Sequence, residues 1–97
     1  MTHFRNSRSL SAGDLEEIAD ASNGELELTD FVVSPGDGTQ VQLKIGNQIV
    51  LEFNVGLGDI TFANSLHLRS GLRVPKGKKL KARLSEDGRL TVLGRYI

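Results

Sequence analysis

The chain has 97 residues, no cysteine, and 12 acidic side chains against 12 lysines and arginines. That length suits one domain with one modest core, and the lack of cysteine excludes disulfides and thiolate metal ligands as sources of stability. With 38% hydrophobic and 25% charged residues, the composition is that of a soluble globular protein, and zero net charge argues against one built mainly to coat nucleic acid.

The even total conceals a separation along the chain. Residues 14–30 carry Asp14, Glu16, Glu17, Asp20, Glu25, Glu27 and Asp30 and no basic group, whereas residues 69–83 carry Arg69, Arg73, Lys76, Lys78, Lys79, Lys81 and Arg83 and no acid. Two such blocks are expected to face each other within one subunit or across a subunit boundary.

Residues 1–13 hold Phe4 and Leu10 as their large apolar anchors after Met1, set among Ser, Asn, Arg and Gly. They read as an extended N-terminal arm. Met1–Leu10 has no apolar stretch of the about 7–15 residues that an export signal requires, so neither an export signal nor a membrane span is expected. Leu15–Asp20 is ambiguous. Ser11 and Asp14 match a capping box and Leu15, Ile18 and Ala19 fall on one helical stripe, yet a short edge strand fits equally well.

From Glu25 the pattern is that of a strand with one wet face, because Leu26 and Leu28 alternate with Glu25 and Glu27 after an Asn23-Gly24 turn signal. The alternation slips at Asp30, and the run Phe31-Val32-Val33 predicts a bulge or a more buried stretch. Ser34–Thr39, with Pro35, Gly36, Asp37 and Gly38, predicts a loop.

Val41, Leu43 and Ile45 keep a period of two, Gly46-Asn47 supplies a tight turn, and Ile49, Leu51, Phe53 and Val55 continue the period as a hairpin. Gly56–Asp59 breaks it, and two short strands are expected at Ile60 with Phe62 and at Leu66 with Leu68. Val74-Pro75-Lys76-Gly77 is a further turn.

Beyond it Leu80, Ala82 and Leu84 point one way and Lys79, Lys81 and Arg83 the other. Asp87-Gly88 turns the chain into a last strand in which Leu90, Val92 and Tyr96 share one face and Thr91, Leu93, Arg95 and Ile97 the other. Leu93 and Ile97 are apolar on a face that should be wet. Six to eight short strands spaced by turns, without a helix of ordinary length, predict an all-β fold. The expected form is a jelly-roll-like β-sandwich of short antiparallel strands over residues 14–97, preceded by the arm; a closed barrel is the alternative.

No catalytic or metal constellation is apparent. His3 and His67 have no partner at metal-ligand spacing, and no nucleophile elbow, phosphate loop or dinucleotide fingerprint occurs. Glu16-Glu17 and Glu86-Asp87 are neighbours whose side chains diverge, which does not suit an acid/base pair. The protein is therefore not expected to be an enzyme or to hold a cofactor. The basic block reads as a patch for a polyanion or as a solvated face that protects an edge. No aromatic residue is interleaved with its lysines, which argues against nucleic acid and favours an acidic protein surface.

The segments Leu28-Thr29-Asp30-Phe31-Val32-Val33-Ser34, Gly71-Leu72-Arg73-Val74-Pro75-Lys76-Gly77-Lys78 and Leu90-Thr91-Val92-Leu93-Gly94-Arg95-Tyr96-Ile97 resemble small virion proteins of tailed phages. The nearest group is the β-sandwich capsid decoration, or cement, proteins, and the Lys-rich stretch Lys76–Arg83 departs from it. The resemblance implies a homotrimer on the outer face of an icosahedral shell that binds the major capsid protein and bridges capsid subunits. It would be made in the host cytoplasm, with neither membrane nor nucleic acid as partner. The candidate oligomer or capsid interface comprises Phe4, Leu10, Leu93, Ile97, Arg69, Arg73, Lys76, Lys78, Lys79, Lys81 and Arg83. The alternative is an oligomeric β-sandwich module of a phage tail or fibre that binds a host glycan or protein.

Overall fold

The computed structural model describes residues 2–34, 39–55 and 64–97. Within them the chain forms eight strands: β1 His3–Leu10, β2 Leu15–Asp20, β3 Leu26–Ser34, β4 Thr39–Ile45, β5 Gln48–Val55, β6 Asn64–Val74, β7 Lys79–Leu84 and β8 Gly88–Tyr96. The expected loop at 35–38, the break at Gly56–Asp59 and the strand at Ile60 with Phe62 lie outside the described residues.

The strands form two antiparallel sheets, ordered β1-β8-β3-β6 (sheet A) and β2-β7-β4-β5 (sheet B). Period-two alternation decides what each strand buries. Leu26, Leu28, Phe31, Val33, Leu90 and Val92 from sheet A share one hydrophobic core with Val41, Leu43, Leu80, Ala82 and Leu84 from sheet B. The Phe31 and Phe53 rings meet across it, with centroids 6.2 Å apart.

The slip at Asp30 is a bulge. The register of β3 shifts between Leu28 and Asp30 against both neighbours, β6 and β8. At this bulge β8 passes so close that a Cβ on Gly94 would lie 2.1 Å from the Glu27 carbonyl oxygen and 2.8 Å from the Leu28 Cα. Only glycine fits there. Of the tight turns, Gly46 between β4 and β5 adopts φ 62° and Gly77 before β7 adopts φ 87°, conformations that glycine reaches without steric cost.

The N-terminal segment differs from expectation. Residues 3–10 are an edge strand of sheet A, paired with β8 from His3↔Arg95 to Leu10↔Gly88, and not an arm. Alternate side chains of β1 turn toward the other sheet. Phe4 packs against the core and Leu10 is buried within it at 3% exposure. Between them, Asn6 Nδ2 donates to the Ile18 carbonyl at 2.7 Å and an Arg8 Nη donates to the Glu17 carbonyl at 2.6 Å.

Those two carbonyls lie where β2 bulges, between Glu17 and Ala19. A bulge leaves backbone groups without ladder partners, so two polar side chains of β1 satisfy the edge of the facing sheet. The ambiguous segment Leu15–Asp20 is thus a strand, and Ile18 contributes a fully buried side chain to the core.

Candidate interaction surfaces

The separated charges meet within the chain. β2 runs antiparallel to β7 with Glu17 opposite Lys81 and Asp20 opposite Lys79, and Glu17 pairs with Lys79 at 3.4 Å. On sheet A, Arg73 reaches Glu25 and Glu27 at 3.6 Å each, and Arg95 Nε donates to Glu27 at 2.8 Å. Exposed pairs such as Glu17 with Lys79 are worth about 0–1 kcal/mol. They orient strands more than they stabilise them.

The candidate interface residues divide over several places. Leu10 belongs to the core and offers no contact surface, because β1 is part of sheet A. Phe4 is half-buried, with its ring edge-on to Tyr96 at 6.0 Å. Leu93 lies on the outer face of sheet A, between Asp30 of β3 and Arg5 of β1, in a depression of about 590 Å³ that Phe4, Arg5 and Arg95 also line. Ile97 is 57% exposed and, with Arg73, Arg95 and Tyr96, lines a second hollow of about 330 Å³. Arg69 and Arg73 are exposed on β6, and Lys76 and Lys78 on the turn that follows it.

Lys79, Lys81 and Arg83 form the wet side of β7, opposite to Leu80, Ala82 and Leu84, as the alternation predicts. One member of this surface was not among the expected residues. Lys44, half-buried on β4, stands directly opposite Lys81. It sits alone between Leu43 and Ile45 in a hairpin whose legible feature is its apolar period, and only the β4–β7 register brings it to the basic block.

Beside Leu93, the His67 Nδ1–H donates to Asp30 at 2.8 Å, because an ionised carboxylate can only accept. This hydrogen bond, followed by the one from the Thr29 hydroxyl, holds the Asp30 carboxyl below its ordinary range. Asp20 is lowered similarly by the side-chain and backbone hydrogen bonds of Ser22. Among the described residues no cluster of three or more His, Cys, Asp or Glu could hold a metal ion. Compared with models of known protein families and with curated proteins, the chain matches none of them.

Proposed function

We propose that this protein is a homo-oligomeric structural protein of a tailed-phage virion, a trimer that decorates the capsid exterior and bridges capsid subunits, working by binding and not by catalysis. The observation that carries the reading is the strand pairing. β1 pairs with β8, β2 with β7, β3 with β6 and β4 with β5. Such pairing supports the reading of one long antiparallel ribbon rolled into a jelly-roll β-sandwich, an architecture used by viral capsid and lectin domains.

Fold alone does not assign function, and the outer faces supply the rest. Sheet A presents Leu93, with Ile97 just past the end of β8, and sheet B presents a basic row, which gives the two contact surfaces that a subunit bound both to its copies and to a shell requires. Apolar groups left on a wet face favour association. The runner-up, a glycan-binding tail or fibre module, would use an open aromatic platform. None of the four described aromatic side chains is exposed.

Light scattering on the purified chain tests the oligomer and should give about three times 10.6 kDa. Co-sedimentation with phage particles tests the attachment. A protein that stays monomeric at micromolar concentration and remains in the supernatant would remove the proposal.

A further inference from the structure

Lys44 and Lys81 occupy directly opposed positions on the solvent face of sheet B, where like charges lower stability. Neither of them, nor Arg83, has an ion-pair partner among the described residues. The acids on the flanking strands are Glu17, directly opposite Lys81 and paired with Lys79 at 3.4 Å, and Glu52, which accepts from Gln42 at 2.8 Å. These two acids offset the repulsion only in part, and an acidic occupant of the face would relieve the rest. Ile49, on the other side of Lys44 and 49% exposed, adds an apolar contact. That combination, on a face without an exposed aromatic for base stacking, suits a protein surface better than a nucleic acid.

A complementary surface lies on the same chain. The turn after β1 and the turn after β7 are tied together, since the Ala12 backbone N–H donates to Asp87 at 2.7 Å and that of Gly13 to the Leu84 carbonyl at 2.8 Å. They carry Asp14, Glu86 and Asp87 to one end of the molecule, all exposed and all without ion pairs among the described residues. β7 ends three residues past Lys81 at Leu84, about 10 Å further on; Asp14 stands level with that end, and Glu86 and Asp87 follow it. Across more than a Debye length of ~8 Å they do little to neutralise the Lys44–Lys81 pair of their own chain.

We propose that the outer face of sheet B is a contact between copies and that its occupant is the acidic end of a second copy, with Lys44 and Lys81 meeting the neighbour's Asp14, Glu86 and Asp87. The proposal rests on the homo-oligomeric reading above and names its surfaces. A face-to-end contact is heterologous, so successive copies close into a ring, such as a trimer, or continue as a filament. The outer face of sheet A, with Leu93 and Ile97, is then left for the shell.

The test is light scattering with size exclusion on the full chain, far-UV circular dichroism serving as the check of fold. The parent should run as an oligomer. K44E/K81E and E86K/D87K should each lose it and run near one chain mass, with K44Q/K81Q as a milder disruption should the reversal unfold the protein. Combining both reversals, K44E/K81E/E86K/D87K, should restore the parental mass. A monomeric parent overturns this inference together with the oligomeric reading. An oligomeric parent that K44E/K81E leaves intact overturns the inference alone and leaves the face to another occupant, such as the acidic surface of a different protein. Failure of the combined variant to recover, when each pair alone is disruptive, overturns the assignment of the acidic end as the occupant.

Discussion

Asn6 of β1 donates its Nδ2–H to the Ile18 carbonyl of β2 at 2.7 Å, across the gap between the two sheets. Ile18 is the bulged residue of an edge strand, so its carbonyl has no ladder partner. Replacing Asn6 with Leu should cost about 1–3 kcal/mol, the range for leaving a buried acceptor unsatisfied, as measured by urea denaturation. Deleting residues 1–10 should go further and prevent cooperative folding, because β8 then loses a neighbour and the core loses Leu10. A truncated chain with an unchanged unfolding midpoint would return this segment to the status of an arm.

Leu10 and Ile97 were indistinguishable as apolar contact candidates, and the fold separates them. Leu10→Ala should cost about 2–5 kcal/mol through lost packing. Ile97→Ala should change stability by no more than about 0.5 kcal/mol and be felt in association instead. Thermal unfolding of both variants checks the contrast, and equal effects would contradict it.

The reason β1 reads as an arm is physical. Its inward positions run Phe4, Asn6, Arg8, Leu10, and the middle two are polar because they satisfy backbone groups of the facing sheet. Apolar alternation, the signal of a half-buried strand, is thereby interrupted. In β3, β4, β7 and β8 the inward positions face side chains and not an edge backbone, so hydrophobicity reports them faithfully, and the bulge at Asp30 announces itself as a phase slip; in β5 the expected period fails at Ile49, because the register against β4 shifts between Leu51 and Ile49 and turns Ile49 outward beside Lys44. The basic side of β7 is legible for the same reason. Lys44 is not, because its place beside Lys81 depends on a register between strands separated by more than thirty residues of sequence.

Gly94→Ala should be among the most damaging single changes. The added methyl meets backbone, at 2.1 Å from the Glu27 oxygen, and backbone in a doubly paired central strand has little freedom to retreat. A loss of at least about 2–3 kcal/mol is expected from overpacking. Near-parental stability in chemical denaturation would mean that the β3 bulge is absent in solution.

The Asp30 carboxyl is lowered first by the His67 hydrogen bond and then by Thr29. A carboxyl whose folded value lies below its unfolded value stabilises the fold above the ordinary carboxylate range of about 4. That contribution is lost as pH falls through the folded value. His67→Ala should move Asp30 back toward the ordinary range and make stability less steep on the acid side. Carboxyl carbon NMR titration of Asp30 in parent and variant reads this directly, and an unchanged titration would show that the His67 contact does not persist in solution.

The proposed role on the capsid exterior is read out by a cryo-EM reconstruction of virions from the source of this sequence. Density for a two-sheet domain is expected on the outside of the shell, in groups of three, at junctions between major capsid protein subunits. A shell with no such density, or the same domain located on the tail or its fibres, would contradict it.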